Sequence, residues 1–466
     1  MIYFKNFKKF IFFLILTFLI TSGVSCFQGV PADVQQRSKP LTLEMWGVWD
    51  GGSDFSSLLA EYKKLHPNIS INYRKFRYEE YEQKLLEAFA KDQGPDIFAI
   101  HNTWVKKYQD VITPMPKQTS LVYTYETGTI KKETVSEIRA TASITPKDLR
   151  AAFVDQVAKD VIIPGIDANK NFIDQIYGLP LSVDTLALFY NKDILNLSGI
   201  PTPPANWKDF QDQVKKTTKL DKEGKILQAG AALGTGKNVS RSFDILSLLM
   251  MQNGAVMQQG INATFDRIPE GQSRNISPGE EALRFYTDFA SPSKEVYSWN
   301  AAMPNSLDYF AQGNAAFFFG YSYQIPDIKN KAPKLNFGIV KVPQIEGNPE
   351  INYANYWVYT ASKKTKYIDE AWDFIQFLAK KDSAQKYLVI AKKPAALRSL
   401  IPSQLENESL APFAAQLLTA RSWYQGVNPS AAETAFVEMI DLAASGQYKF
   451  TDLISQAVGR IQQTIR

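Results

Sequence analysis

The regular part of the chain begins with short apolar strands that alternate with amphipathic helices. Residues 41–46 alternate in polarity as a half-buried strand does, and the apolar positions of 55–65 follow a helical stripe. A second strand pattern at 69–73, a second helical stripe at 78–89 and a continuously apolar strand at 96–100 follow. This β-α-β-α-β order favours a parallel sheet covered by helices, with ligands approaching the carboxyl ends of the strands.

The pattern changes further along the chain. Residues 115–170 are less regular and predict an insertion on the surface of the α/β unit formed by the preceding strands and helices. Residues 177–193 form an extended apolar run that is interrupted by Asp184, and a helical stripe occupies 368–379. A carboxylate inside a buried strand needs a partner, so Asp184 is a candidate functional residue.

The first residues have the pattern of an export signal. Residues 1–25 combine a basic start, an apolar run too short to span a bilayer and a stretch of small residues. Cys26 follows directly, where a bacterial lipoprotein carries its acylated cysteine, and residues 26–40 read as a linker. We therefore expect a lipid anchor at Cys26; the alternative is simple cleavage and secretion, with Cys26 lost or idle.

Composition narrows the function further. The 466 residues are 45% hydrophobic, enough for two substantial cores, and the net charge of +5 falls to +2 once Lys5, Lys8 and Lys9 leave with the signal. This charge is too mild for a nucleic-acid-binding surface. One cysteine and two histidines allow no internal disulfide and no Cys/His zinc site, so we expect neither a metal nor a cofactor.

Several motifs occur in a fixed order along the chain. They are 43–65 followed by His66-Pro67-Asn68-Ile69, Gly94-Pro95-Asp96-Ile97, 177–193, 203–207 with its following helix, Gly313-Asn314-Ala315-Ala316-Phe317, and 353–364 leading into Glu370-Ala371-Trp372-Asp373-Phe374. Together they resemble the extracytoplasmic solute-binding proteins of ABC importers, in the maltose-binding-like family 1.

The resemblance implies an α/β, two-lobe periplasmic-binding-protein-like fold of class II. Each lobe would be a mainly parallel sheet covered by helices, with a cleft between them; residues 41–184 plus 355–393 would form the first lobe and 186–352 plus 396–466 the second. It also implies a monomer that is no enzyme and delivers an oligosaccharide to the transmembrane subunits of an importer by ligand-driven closure. Such a protein acts in the periplasm or, lipid-anchored, on the outer face of the cytoplasmic membrane.

A saccharide site needs aromatic plates for the C–H faces of the sugar and amides or carboxylates for its hydroxyls. Candidates that follow predicted strand ends are Trp46, Trp49, Asp50, Asn102 and Trp104. The resemblance adds Asp184, Tyr321, Tyr323, Asn355, Trp357 and Trp423. The alternative for each aromatic is core packing, and for Asp184 a buried carboxylate that is satisfied by backbone amides or an ion pair.

Two other functions stay open at this point. A secreted glycoside-active enzyme would use paired carboxylates such as Asp50 and Asp184. A polyamine- or peptide-binding relative on the same scaffold would need several acids around the aromatic side chains.

The segment 230–237 resembles a phosphate loop, but its glycine spacing is one residue too long and Asn238 stands where Ser or Thr is required.

Overall fold

The computed structural model describes residues 31–129, 132–166 and 169–465. The predicted signal peptide, Cys26 and the first part of the linker lie outside the described residues. Among the helices described, none is long and apolar enough to cross a membrane.

The first lobe is built on a five-stranded sheet. In spatial order its strands are β2 (Ile69–Lys75), β1 (Leu41–Gly47), β3 (Ile97–His101), β18 (Trp357–Ser362) and β4 (Ile112–Thr113). Strands β1, β2 and β3 are parallel, whereas β18 runs antiparallel to both of its neighbours. The helices of this lobe are α1 (Ala32–Arg37), α2 (Gly52–Leu65), α3 (Tyr78–Ala90), α4 (Val105–Tyr108), α5 (Pro146–Ala152), α6 (Asp155–Val161), α13 (Ile368–Ala379), α14 (Lys381–Ala391) and α15 (Ile401–Gln404).

Helix α2 shows how the sequence encodes these elements. The Asp54 carboxylate accepts the Gly51 N–H at 2.7 Å, which satisfies a backbone donor at the start of the helix. Phe55, Leu58 and Tyr62 then repeat on one face and are buried in the core.

The second lobe has a sheet of its own. In spatial order its strands are β11 (Lys219–Leu220), β12 (Ile226–Ala231), β15 (Ala315–Gly320), β10 (Ala187–Asn191) and β16 (Phe337–Lys341). Only β12 and β15 are parallel to each other. Around it lie α7 (Lys192–Leu197), α8 (Trp207–Thr217), α9 (Ser242–Gln252), α10 (Pro278–Asp288), α11 (Ser306–Ala311), α12 (Ile325–Lys331), α16 (Ala411–Ala414), α17 (Pro429–Ala444), α18 (Phe450–Gln462) and the hairpin of β13 (Gln258–Gln259) and β14 (Asn262–Ala263).

The α/β class is as predicted, but the sheets are mixed rather than mainly parallel. Strands β18 and β10 each enter their sheet after the chain has crossed from the other lobe. They therefore arrive from the opposite end and run antiparallel to their neighbours.

The insertion predicted at 115–170 contains ordered hairpins. Strands β5 (Gln118–Thr127) and β6 (Glu133–Ala142) pair over their full length, and β7 (Ile162–Ile166) pairs with β8 (Phe172–Ile176). Most side chains of β5 and β6 are partly or fully exposed, so the apolar alternation that marks a strand in a sequence is weak there.

A three-stranded sheet joins the lobes. It consists, in spatial order, of β19 (Ala420–Arg421), β17 (Asn352–Asn355) and β9 (Asp184–Thr185). The apolar core changes along these strands: Val183 belongs to the first core and Leu186 to the second, while Tyr353 belongs to the second and Ala354 to the first.

The last crossing lies later than expected. We placed the start of the final second-lobe segment at 396, but Leu397, Leu400 and Ile401 pack into the first core, and Trp423 and Tyr424 belong to the second. An isolated antiparallel β-bridge between Phe153 and Leu397 holds the segment around residue 397 on the first lobe.

Candidate ligand-binding site

A cavity of about 530 Å³ lies between the two lobes. This volume is in the range of small-molecule binding sites. Its first-lobe wall follows the carboxyl ends of β1, β2 and β3, and its second-lobe wall follows those of β12 and β15. The crossing strands form its floor through Asp184 and Asn355.

The first-lobe wall is aromatic. Trp49 lies beyond the end of β1, Tyr78 opens α3, Trp104 follows β3, and Trp357 begins β18 directly opposite His101. Trp357 contacts Trp104 edge-on, with 5.4 Å between ring centroids, and Trp49 stacks on Tyr78 at 5.7 Å. These rings offer flat apolar faces of the kind that the C–H face of a sugar ring can cover.

Asp50 is held by three donors of its own lobe. Its Oδ1 accepts from the Tyr387 hydroxyl at 2.6 Å and from Lys393 Nζ at 2.5 Å, and its Oδ2 accepts from the Tyr359 hydroxyl at 2.9 Å. Burial opposes ionisation of Asp50, but the Lys393 charge and these hydrogen bonds lower its pKa below the ordinary value. Asp50 is therefore a carboxylate whose charge is balanced by Lys393.

The second-lobe wall carries a clamped arginine. Arg241 Nε and Nη2 donate to the two oxygens of Asp244, each at 2.8 Å, and Nη2 also lies 3.3 Å from Glu433 Oε1. Arg241 precedes α9 with a φ of 59°, in the left-handed region that side chains other than glycine rarely adopt. Backbone strain of this kind concentrates at functional sites, because the surrounding structure must hold it.

Asp184 lies where the chain first crosses between the lobes, and its carboxyl is hydrogen-bonded to the second lobe. Its Oδ1 accepts from the Thr185 N–H at 2.9 Å, and its Oδ2 accepts from the N–H and the hydroxyl of Ser322 at 2.9 and 2.6 Å. Burial raises the pKa of Asp184 to about 7 in spite of these bonds. The carboxyl thus lines the cavity and also fixes the turn that precedes Tyr323.

Asn355 connects the lobes at the floor. Its Nδ2 donates to Asp244 at 3.2 Å, and its Oδ1 lies 3.2 Å from Nε2 of His101. Burial and the nearby Arg241 charge lower the pKa of His101 to about 4, so its imidazole is neutral near pH 7. A polar chain therefore runs from Arg241 across the crossing into the first lobe.

One aromatic contact spans the cleft directly. Trp49 of the first lobe stacks on Tyr323 of the second, with centroids 4.9 Å apart and planes at 29°. Tyr323 in turn stacks on Tyr321 at 5.7 Å. The lobes thus touch through two of the rings that face the cavity.

The structure brings seven of the predicted site residues together around the cavity. These are Trp49, Asp50, Trp104, Asp184, Tyr323, Asn355 and Trp357. Two other tryptophans, Trp207 and Trp372, lie buried in the second and the first core.

Four predicted site residues do not line the cavity. Trp46 lies within β1 rather than beyond it and packs on Phe76 at 4.6 Å. The Nδ2 of Asn102 is used by Asp160 and Ser422, at 2.9 and 3.0 Å. Both side chains are thus committed to the interior of the protein.

The other two of these residues belong to the second-lobe core. Tyr321 is fully buried and donates to Asp244 at 2.7 Å, so it supports the Arg241 clamp from behind. Trp423 donates to Ser247 at 3.0 Å and stacks on Phe243. Aromatic residues fill cores and line sites alike, and sequence position alone did not separate the two cases.

Sequence reasoning missed several lining residues. They include Tyr78, Glu79, Arg241, Tyr387, Lys393 and Glu433. One usable signal was present, since Arg241 stands three residues before Asp244 at the start of a helix, a spacing that lets the two side chains pair. Lys393 and Glu433 carry no such local signal, because the fold brings them to the cavity from distant segments.

A metal-dependent function gains no support from the described ranges. Within 31–129, 132–166 and 169–465, no group of three or more His, Cys, Asp or Glu side chains could hold a metal ion. What the site offers is aromatic faces, hydroxyl and amide groups, and paired charges.

Comparison with known proteins gives related binding proteins. The chain is 22% identical over 354 residues to the galactooligosaccharide-binding protein of Bacillus subtilis, covering 75% of this chain and 76% of that protein. It is 26% identical over 307 residues to the maltodextrin-binding protein MdxE of Bacillus subtilis, covering 63% and 67%. Among solved structures, the cyclic alpha-maltosyl-1,6-maltose binding protein of Arthrobacter globiformis matches with a TM-score of 0.69 and 18% identity, over 91% of this chain and 99% of that one.

The family itself follows from a match to most of the chain. Residues 47–385 match the model of the bacterial extracellular solute-binding proteins, a family that binds substrates. The matched range includes both sheets apart from most of β1, the crossing strands β9 and β17, and the cavity lining apart from Tyr387, Lys393 and Glu433. This chain therefore belongs to the bacterial extracellular solute-binding protein family.

Proposed function

We propose that this chain captures a saccharide between its lobes and delivers it to the transmembrane subunits of an ABC importer. The observation that carries the proposal is the cavity, in which aromatic faces of the first lobe oppose hydrogen-bonding groups of the second. The galactooligosaccharide- and maltodextrin-binding relatives support a saccharide as the ligand class.

The geometry supports a binding role with lobe closure. A ligand that lies on Trp49 or Trp357 reaches Arg241 and Asn305 of the opposite wall only when the lobes are together. Because the closed form makes both sets of contacts, the ligand shifts the population toward closure. The importer subunits would then recognise the closed shape, and the ligand leaves chemically unchanged.

Attachment to the membrane is the second part of the proposal. The mature chain begins at Cys26, and acylation there would hold the lobes at the outer face of the cytoplasmic membrane. A single acyl group binds a bilayer only marginally, so stable attachment requires more than one acyl group. Mass spectrometry of the protein from its native membrane tests this: the lipid mass should sit on the peptide that starts at Cys26, and an unmodified Cys26 would contradict it.

Calorimetry tests whether the ligand is a saccharide. The mature chain with Cys26→Ser is titrated with a panel of candidate ligands. The panel contains neutral oligosaccharides of several linkages and lengths, and each mixture is analysed afterwards by chromatography. We expect a micromolar or tighter Kd for at least one oligosaccharide, which is recovered intact. No heat with any member, or cleavage of the bound sugar, would contradict the proposal; cleavage would favour a glycoside-active enzyme.

A further inference from the structure

The charges around the cavity do not balance. Four carboxylates line it, those of Asp50, Glu79, Asp184 and Glu433, and the two lining cations are Arg241 and Lys393. His101 also lines it but is neutral near pH 7, because burial and the Arg241 charge lower its pKa to about 4. Because burial raises the pKa of Asp184 to about 7, this carboxyl is only partly ionised near pH 7. The other three lining acids still outnumber the two lining cations, even before the buried Asp244 is included.

Both cations are already committed to carboxylates. Lys393 Nζ lies 2.5 Å from Asp50. Arg241 makes a two-pronged pair with Asp244 and a further contact to Glu433. A carboxylate, phosphate or sulfate on a ligand would have to break one of these pairs and would meet the surplus acids, both of which are unfavourable.

The two surplus acids, Glu79 and Glu433, line the cavity from opposite lobes, and their exposure puts them at its mouth. Glu79 is exposed in the first turn of α3, and none of the described residues forms an ion pair or a hydrogen bond with its side chain. Glu433 projects from α17 on the opposite lobe, with its side chain 36% exposed. Burial and then the charge of Glu433 raise the pKa of Tyr78, whereas the charge of Arg241 lowers it, so Tyr78 of the first-lobe wall faces both of these second-lobe charges.

Aromatic faces lie beside the same acids. Trp49 is 38% exposed and Tyr78 is 43% exposed, and both rings line the cavity next to Glu79. A cation near the face of a tryptophan or tyrosine ring is attracted to it. Carboxylates of both lobes combined with these rings make a setting that suits an ammonium group better than a neutral or anionic one.

We propose that the saccharide taken by this site carries a protonated amino group, held at the mouth between Glu79 and Glu433 and against Trp49 and Tyr78. The inference rests on the proposed function and names the class of saccharide. The ammonium group draws the two lobes together, because its two carboxylate partners come from opposite sides of the cleft. Acidic saccharides are excluded by the same arrangement.

Calorimetry with matched ligands tests the charge preference. The probes are glucosamine, N-acetylglucosamine and uronic acid oligomers of equal length, together with neutral oligosaccharides and spermidine, at a pH where the amino groups are protonated. We expect the amino oligomer to bind about tenfold more tightly than its N-acetylated counterpart at low salt, the preference to shrink as salt is added, and the uronate to bind weakest.

Variants assign the preference to the two acids. Glu79→Gln combined with Glu433→Gln should bring the ratio of the two affinities close to one, while Arg241 stays clamped by Asp244. The control is Glu80→Gln. Glu80 lies next to Glu79 on α3, but its carboxylate pairs with Arg77 and does not line the cavity. The control should keep the full ratio.

The outcomes separate this inference from the proposed function. If neutral and amino saccharides bind equally, or if the N-acetylated or uronate form binds more tightly, the amino preference is wrong and the saccharide function stands. If no saccharide binds, both are wrong. Tighter binding of spermidine than of every saccharide would also contradict both, because the site would then recognise the ammonium charge and not the sugar.

Discussion

The two walls of the cavity differ in chemistry. The first-lobe wall presents several large rings, among them Trp49, Tyr78, Trp104 and Trp357, whereas the second-lobe wall presents the ring of Tyr323 beside polar and charged groups such as Arg241. Apolar area provides binding energy without direction, and hydrogen-bonding groups provide direction and selectivity. Under the proposed function, the first-lobe rings would provide most of the binding energy and the second-lobe groups most of the selectivity.

The walls also differ in how their charges are held. In the first lobe, Lys393 and two tyrosine hydroxyls surround Asp50, so one cation serves one acid. In the second lobe, Arg241 serves both Asp244 and Glu433, from a strained backbone position. We therefore expect the second-lobe wall to depend more on a single residue than the first-lobe wall does.

The largest expected effect is that of Arg241→Ala on stability. Among the described residues, the change leaves the buried Asp244 with the Tyr321 hydroxyl and the Asn355 amide as its side-chain partners, and an uncompensated buried charge costs about 3–5 kcal/mol. Chemical denaturation should show this loss. Arg460→Ala removes an exposed pair with Glu438 and should cost at most about 1 kcal/mol; equal losses would mean that the clamp is not a structural centre of the second wall.

Removal of the Trp49 ring should have the next largest effect, on ligand affinity. Trp49→Ala removes a face that a bound sugar would cover, and burial of a large apolar side chain contributes about 1.5–3 kcal/mol. We expect the Kd of the tightest saccharide to rise by about 10- to 100-fold. Phe172→Ala is the control, since Phe172 is 84% exposed on a hairpin away from the cavity. A similar loss in the control would contradict an aromatic first wall.

A pH series addresses Asp184, which joins the walls at the floor. The folded protein holds its proton up to about pH 7, whereas an unfolded aspartate releases it near pH 3.9. Stability should therefore fall as pH rises between these values, with a slope of up to about 1.4 kcal/mol per pH unit from this group, and level off above.

Denaturation curves of Asp184→Asn across that pH range should lack this contribution. Asp327→Asn, at an exposed position on α12, should keep the wild-type slope. Parallel pH profiles for the wild type and Asp184→Asn would show that the carboxyl does not titrate in this way.

The smallest expected effect concerns the cross-lobe stack. Tyr323→Phe keeps the ring against Trp49 and should change the ligand Kd by less than about threefold, whereas Tyr323→Ala removes a stacked pair that contributes about 0.5–1.5 kcal/mol. Small-angle scattering of the ligand-free protein should show a larger radius of gyration for Tyr323→Ala alone. The same radius in both variants would mean that the stack does not hold the lobes together.

Much of the first lobe was readable from the sequence. Strands β1 to β3 and helices α2 and α3 have strong apolar periodicity, and the structure has all five within three residues of the expected positions. The β5 and β6 hairpin was missed because most of its side chains are partly or fully exposed and Leu121 and Val122 are the only buried apolar residues of its two strands, too few to give a strand pattern.

The site was only partly predictable. Residues just beyond strand ends, such as Trp49 and Asp50, could be named because topology directs them to the cleft. Trp423 was misplaced because a core tryptophan and a lining tryptophan look alike in a sequence. Lys393 and Glu433 could not be found, since their role depends on the distant partners Asp50 and Arg241, which only the folded chain brings near.

The most direct test of the account is a crystal structure of the mature chain with the saccharide that binds most tightly. The account predicts the sugar between the lobes, with one ring face on Trp49 or Trp357 and its hydroxyls within hydrogen-bond distance of second-lobe groups such as Arg241. A sugar bound to one lobe only, or outside this cavity, would contradict it.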